Sequence, residues 1–131
     1  MRFSPGYAIL LGLMLAAPAQ AQEKLSGNWR VERLEGKAPL AASPITLQFA
    51  DGRVAGRASC NRYGASVTSD GDNIAFGAPM TTRMACQPPV MEQERRFLAF
   101  LARATQWTRM GDKLTIRTAD GASLHAVPAD L

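Results

Sequence analysis

Apolar and polar residues alternate with a period of two in much of the chain after residue 22. In "GNWRVERL", Trp29 and Val31 fall on one face and Arg30 and Glu32 on the other. This pattern is typical of a strand with one buried face. Seven further short segments are also typical of strands: "ITLQFA", "RVAGRAS", "GASVTS", "NIAFG", "QWTRM", "KLTIRT" and "SLHAVP". About eight short strands are therefore predicted.

Turn residues separate these segments and indicate antiparallel pairing. Asp51-Gly52 directly follows "ITLQFA" and is a strong signal for a tight hairpin. Gly56 interrupts the return strand, which indicates a bulge or a close approach of another backbone. Regular alternation of strands with long helices is absent, so a parallel sheet is not expected.

One helix is predicted, from Pro88 to about Ala104. Proline suits the first helical turn, and Glu92 and Glu94 are expected near the positive end of the helix. The apolar residues recur at helical spacing and predict a face packed on the sheet: Val90, Met91, Phe97, Leu98 and Leu101. The predicted fold is mainly antiparallel β, a curled sheet or barrel, with this helix covering an opening.

The first 21 residues are typical of a secretory signal peptide. Arg2 precedes an apolar run from Tyr7 to Ala17, and Ala19-Gln20-Ala21 supplies small residues at the positions read by a signal peptidase. The run is shorter than the roughly 20 residues that span a bilayer, although an N-terminal membrane anchor is the alternative. Cleavage after Ala21 would leave one periplasmic domain, residues 22–131, without a stable membrane anchor.

The net charge narrows the classes of molecule that the domain is expected to bind. The chain has a formal charge of +4, and the predicted signal segment contains one arginine and no acid, so the mature domain would carry +3. Such a balance in an exported protein does not suggest nucleic acid, although it is compatible with anionic lipid or cell-wall polymer. A monomer without a cofactor is expected.

Two cysteines, Cys60 and Cys86, stand in a chain predicted to enter an oxidising compartment, which indicates a disulfide. A cysteine nucleophile would need a base, and His125 is the one histidine of the sequence. A zinc site usually has four ligands in paired short spacings, which the sequence lacks. No catalytic residue and no metal ligand are predicted.

The residues after Cys60 are interpreted as a structural corner. Asn61 can bond nearby backbone, and Tyr63 can place its ring in the core and give its hydroxyl a partner. Arg62 has no evident core role. It is either a solvated turn residue or part of a recognition surface.

These segments together resemble the META/HslJ family of small bacterial envelope domains. "LSGNWRVERL" is similar to the opening strand of the family, and "ITLQFADGRVAGRASCNRYGASV" to its central hairpin with Cys-Asn-x-Tyr. "TTRMAC" resembles the Thr-x-x-Met-Ala-Cys element, "EQERRFLAFL" the helix and "GDKLTI" a late strand. Asn61, Tyr63, Thr82 and Arg83 fall on motif positions, while Ser59 stands where the family more often has glycine.

The resemblance implies a barrel-like antiparallel fold with a helix and an envelope role linked to stress or antibiotic tolerance. Many members carry a lipid anchor, and no catalytic residues are implied. The favoured hypothesis is a non-enzymatic exported module that binds an envelope protein or a cell-wall component.

Two alternatives remain for the function. A small barrel could carry an apolar ligand among Met80, Met84, Met91 and the phenylalanines. A hydrolase would need paired carboxylates, but the candidate aspartates all adjoin glycine and are better explained by turns: Asp51, Asp70, Asp72, Asp112 and Asp120.

Overall fold

The computed structural model describes residues 2–6, 9, 11–13 and 24–131. The predicted cleavage point after Ala21 lies outside these residues. The described apolar side chains of the predicted signal segment, Phe3, Ile9, Leu11 and Leu13, are all exposed. No helix among the described residues has both the length and the apolar character needed to cross a bilayer.

The described part of the chain forms nine strands and one helix. In chain order these are β1 Gly27–Leu34, β2 Thr46–Ala50, β3 Arg53–Arg57, β4 Arg62–Asp70, β5 Asn73–Phe76, β6 Met80–Thr81, α1 Pro88–Arg103, β7 Ala104–Met110, β8 Lys113–Thr118 and β9 Ser123–Pro128.

The strands form one antiparallel sheet in the order β3-β2-β1-β9-β8-β7-β5-β4, and β4 returns to pair with β3. Eight strands therefore close into a barrel, which confirms the predicted fold class. The ninth strand, β6, has two residues and pairs with the start of β4. It was not predicted.

Closure of the barrel is uneven around its circumference. The first and last strands pair over most of their length, from Trp29 opposite Pro128 to Leu34 opposite Leu124. In contrast, β5 and β7 share one register pair, Asn73 opposite Gln106. The Trp107 amide extends this contact by donating to the Asp72 carbonyl at 2.9 Å.

The predicted hairpin turn between β2 and β3 is confirmed. Asp51 and Gly52 both have positive φ, at 53° and 73°. Two consecutive positive φ angles are the feature of the turn whose twist suits two-residue hairpins.

Side chains of alternate strand positions fill the barrel. The inward residues of β1 are Trp29, Val31 and Leu34, as its alternation predicts, apart from a register irregularity before Arg33. The other large members of the core are Ile45, Leu47, Phe49, Val54, Tyr63, Ile74, Phe97, Phe100, Leu101, Trp107, Leu114, Ile116 and Leu124.

Gly56 lets another strand approach β3 closely, as its position predicts. A Cβ at Gly56 would lie 2.4 Å from the carbonyl oxygen of Thr46, where no side chain fits. The Thr46 carbonyl accepts a hydrogen bond from the Tyr63 hydroxyl at 2.7 Å. The Thr46 hydroxyl accepts one from the Arg57 amide at 2.9 Å. Because Gly56 has no side chain, Thr46 of β2 can accept hydrogen bonds from both β3 and β4.

Helix α1 begins at Pro88, as predicted, and the Gln87 carbonyl accepts hydrogen bonds from Val90 and Met91. Phe97 and Leu101 of the predicted face are buried, and Phe97 packs edge-on against Tyr63 with ring centroids 5.2 Å apart.

Four details of the predicted helix need correction. Phe100 is fully buried although it was not placed on the face, while Val90, Met91 and Leu98 are only half-buried. Gln93 and Glu94 are also buried. Neither Glu92 nor Glu94 lies in the first turn, so the expected interaction with the positive helix end is not made there.

Candidate functional site

The predicted disulfide joins Cys60 and Cys86, whose Cα atoms are 6.0 Å apart. Cys60 stands just before β4, and Cys86 lies two residues before α1. The bridge therefore ties the β3–β4 corner to the segment between β6 and the helix.

Asn61 is the centre of a buried polar cluster beside this bridge. Asn61 is only 3% exposed. Its backbone amide and its Nδ2 donate to the two carboxylate oxygens of Glu94, at 2.6 and 2.8 Å. Nδ2 also donates to the Met84 carbonyl at 3.2 Å. The corner thus interacts with both the helix and the preceding loop.

The side-chain oxygen of Asn61, Oδ1, also accepts hydrogen bonds. Oδ1 accepts from the Met84 amide at 2.6 Å and from the Thr82 hydroxyl at 2.9 Å. The Thr82 hydroxyl accepts from the Arg62 amide at 3.1 Å. Asn61, Thr82 and the disulfide consequently fix the backbone of residues 79–86, which we call the anchored loop.

Comparison with known proteins identifies a family for this chain. The family model described as META domain matches residues 22–131. The chain belongs to the META domain family.

Two solved structures share the fold of this META domain. One is the NMR structure of a protein from Burkholderia xenovorans, with a TM-score of 0.67 and 25% identity, covering 81% of this chain and 83% of the other. The other is also an NMR structure of a protein, with a TM-score of 0.65 and 23% identity, covering 88% of this chain and 97% of the other. No curated protein matches the chain significantly.

The sequence did not predict the burial of two residues of the META domain, Gln93 and Glu94. Both carry polar groups into the helix face that packs on the barrel. Gln93 donates to the Ser43 carbonyl at 2.7 Å and accepts from the Leu40 amide at 2.8 Å. Their positions four and three residues before Phe97 place them on the same helix face, which is the signal that could have identified them.

Ser59 connects the same corner to the start of the helix. Its hydroxyl donates to the Val90 carbonyl at 3.0 Å and accepts from Gln93 Nε2 at 3.0 Å. Its φ of 106° lies in a region that favours glycine. Ser59 therefore forms two side-chain hydrogen bonds at a position whose backbone is strained.

Tyr63 has the role that its sequence position predicts, with a buried ring and a bonded hydroxyl. Burial raises the pKa of its phenol far above the ordinary value. Thr82 takes part in the cluster around Asn61, whereas Arg83 is exposed and its side chain forms no hydrogen bond or salt bridge with the described residues. Arg62 is exposed on β4, opposite Arg57 of β3.

The other candidate residues, His125 and Asp120, lie outside the cluster around Asn61. The ring of His125 contacts the hydroxyls of Thr115 and Ser123, each at 3.2 Å. Asp120 pairs with Arg103, and the hydrogen bond from the Thr118 hydroxyl, followed by the interactions with Arg103, lowers the pKa of its carboxyl. Within the described ranges, no three His, Cys, Asp or Glu side chains come close enough to hold a metal.

Loss of the disulfide is expected to destabilise the domain by about 3.5 kcal/mol, because the bridge closes a long loop in the unfolded chain. The variant is Cys60→Ser/Cys86→Ser, and urea denaturation measures the change. The parent should show no free thiol in denaturant until a reductant is added. Two free thiols in the denatured, unreduced parent would contradict the bridge.

Substitutions at Ser59 should separate strain from hydrogen bonding. Ser59→Ala loses both hydroxyl contacts and keeps the strained φ, at an expected cost of about 2 kcal/mol. Ser59→Gly loses the same contacts but relieves strain of about 1 kcal/mol, so it should be the more stable of the two. Urea denaturation compares them, and an alanine variant as stable as the glycine variant would refute the role of strain.

Proposed function

We propose that this META domain is a non-enzymatic binding module of the bacterial envelope. It is exported to the periplasm by a cleaved signal peptide and acts as a monomer, in a role linked to stress or antibiotic tolerance. A disulfide is consistent with export, since such bonds persist in oxidising compartments. The link to stress comes from the resemblance to META/HslJ proteins.

The proposed binding surface is the anchored loop, and its exposed apolar side chains carry the proposal. Met80 is 78% exposed and Met84 is 62% exposed. Arg83 stands between them in sequence and is also exposed. Methionine adapts its shape to a partner, so two exposed methionines beside an arginine suit a protein surface.

The fixed backbone of the anchored loop makes it suited to binding. The Met84 amide and carbonyl are both bonded to Asn61, and Met80 lies in β6 opposite Gly64. A loop held in one conformation loses little conformational entropy when it binds. The network around Asn61 thus has a use beyond stability, because it presents Met80 and Met84 at set positions.

An acidic protein partner is proposed on the basis of charge. Arg57 and Arg62 lie on the neighbouring strands, and Arg83 is in the loop itself. The Arg62 amide bonds to Thr82, so Arg62 borders the anchored loop directly, and Arg57 lies opposite Arg62 on β3. Complementary charge would orient an acidic partner and accelerate its association.

A carrier function receives less support from the barrel interior. Trp29, Phe97 and Phe100 are fully buried, and aliphatic side chains pack around them. Met80 and Met84, which the carrier hypothesis placed at a ligand, are exposed on the surface. Native mass spectrometry of the purified domain provides the check, since a retained apolar ligand would favour the carrier.

The proposal is tested by cross-linking the tagged domain in the periplasm and comparing three forms. The loop variant is Met80→Ser/Met84→Ser, and the matched control is Met110→Ser. Met110 is 79% exposed and stands at the end of β7, outside the anchored loop. A partner protein should be captured by the parent and the control and lost, by about tenfold or more, in the loop variant.

The melting temperatures of the three forms should agree, because the changed side chains are exposed. The proposal is refuted if every captured protein is recovered equally with the loop variant and the control. It is also refuted if the domain catalyses turnover of a substrate at a site that these variants leave unchanged.

A further inference from the structure

We infer that the groove across the outer faces of β1 to β4 is a binding site for a phosphate group. Three arginines line this groove, Arg30, Arg57 and Arg62, together with Thr46 and Gln48. The groove has a volume of about 580 Å³ and is open to solvent. The inference does not rest on the proposed protein partner, since it concerns a different ligand and does not involve Met80 or Met84, although Arg57 and Arg62 border both surfaces.

The strand register brings the three arginines into one row. Arg30 of β1 lies opposite Thr46 of β2. The Arg57 amide donates to the Thr46 hydroxyl at 2.9 Å, and Arg57 of β3 lies opposite Arg62 of β4. The row therefore crosses four neighbouring strands at one level of the barrel, with adjacent strands about 4.8 Å apart.

The charges along this row are unbalanced. Arg57 and Arg62 are directly opposed, and like charges in that position repel each other. Within the described residues, none of the three arginines forms a salt bridge or donates a side-chain hydrogen bond. An anion between them would relieve the repulsion and accept hydrogen bonds from guanidinium groups that have no protein acceptor.

The floor of the groove contributes a polar group. Thr46 is 6% exposed, and its hydroxyl accepts from Arg57 without donating to any described group. Gly56 also lines the groove, and its lack of a side chain allows Thr46 of β2 to approach β3 closely. Thr46 therefore lies at the centre of the arginine row, between Arg30 and Arg57.

Phosphate fits this arrangement better than a carboxylate. A carboxylate has two oxygens, which a single arginine can satisfy through two parallel hydrogen bonds. Three guanidinium groups around one groove offer many more donors than two oxygens can accept. A phosphate group has three or four oxygens and greater charge, and the planar arginine fork matches it well.

Asp130 is the acidic residue that lines the same groove. Its carboxylate reduces the positive potential there and would repel a phosphate group. It forms no salt bridge with the three arginines in the described structure. Removing the charge with Asp130→Asn should therefore tighten phosphate binding, by about twofold to threefold.

The first experiment titrates the mature domain with inorganic pyrophosphate and follows backbone amide shifts by NMR. The largest shifts are expected at Thr46, Arg57 and Arg62. Arg57→Gln/Arg62→Gln should weaken binding by about tenfold or more. Arg117→Gln removes an exposed arginine of β8 and should change the affinity by less than about twofold.

Three further probes test whether the site prefers phosphate to carboxylate and whether the phosphate belongs to a lipid. Acetate at the same ionic strength should bind more weakly than pyrophosphate, and equal binding would refute phosphate selectivity. Phosphatidylglycerol vesicles, compared with phosphatidylcholine vesicles, test a lipid headgroup. Binding to the vesicles alone assigns a lipid source, and binding to pyrophosphate alone assigns a soluble or polymeric phosphate.

Two outcomes would overturn the inference. In one, neither probe binds the parent domain at low salt. In the other, Arg57→Gln/Arg62→Gln binds as well as Arg117→Gln does. The Met80→Ser/Met84→Ser variant should bind pyrophosphate normally, so failure of the phosphate site and failure of the proposed protein surface can be told apart.

Discussion

Asn61→Ala is expected to destabilise the domain by about 4 kcal/mol, more than loss of the disulfide. The change removes the four hydrogen bonds of the side chain at a residue that is 3% exposed. It leaves one Glu94 oxygen, the Thr82 hydroxyl and both backbone groups of Met84 without this partner. Each buried polar group that loses its partner costs about 1–3 kcal/mol, and water can restore some of that cost.

Thr82→Val is the matched control for Asn61→Ala. It removes the hydrogen bond from the Thr82 hydroxyl to Asn61 Oδ1 and the exposed hydrogen bond that the hydroxyl accepts from the Arg62 amide. The expected loss in the free energy of unfolding is about 1 kcal/mol. Urea denaturation of both variants measures the difference in the free energy of unfolding. If Asn61→Ala costs no more than Thr82→Val, Asn61 is not the centre of the cluster.

Gly56→Ala is the second change with a large expected effect, also about 4 kcal/mol. The added Cβ would lie 2.4 Å from the Thr46 carbonyl oxygen and 2.7 Å from the Thr46 hydroxyl. Because the obstacle is backbone, β2 and β3 must separate, and overpacking of this kind costs about 1–3 kcal/mol or more. The separation also weakens the hydrogen bonds that Thr46 accepts from Tyr63 and Arg57.

Gly64→Ala is a close control because Gly64 lies on the neighbouring strand β4. Its Cβ would meet atoms of Arg53 and Val54 at 3.7 and 3.8 Å, which are ordinary contact distances. We expect it to be neutral or to stabilise by up to about 1 kcal/mol, since alanine reduces the entropy of the unfolded chain. Thermal and urea denaturation compare the two, and similar stability of both variants would disprove the close approach at Gly56.

The sequence predicted those features that depend on local patterns. Alternation located eight strands because each has an inner and an outer face, and Asp51-Gly52 located a hairpin because of its turn chemistry. The disulfide followed from the number of cysteines and the expected compartment. Strand β6 could not be found in this way, because two residues are too few to show a period.

Features that depend on contacts distant in sequence could not be predicted. Glu94 is 33 residues from Asn61, so a buried carboxylate that accepts from a β corner has no local signature. The sequence therefore predicted an interaction of Glu94 with the positive end of the helix, and not with Asn61. The row of Arg30, Arg57 and Arg62 depends on the register of four strands, and alternation alone does not fix that register.

The pairing of β1 with β9 affects how the chain can fold. Trp29 lies opposite Pro128, so two residues almost a hundred positions apart must meet before the barrel is complete. Such non-local pairing requires a costly loop closure and is characteristic of folding in milliseconds to seconds, not microseconds. A chain emerging from a ribosome or a translocation channel can pair β2 with β3 early. Trp29 gains its β9 neighbour only after the last strand has emerged, so an incomplete chain exposes an apolar strand edge until then.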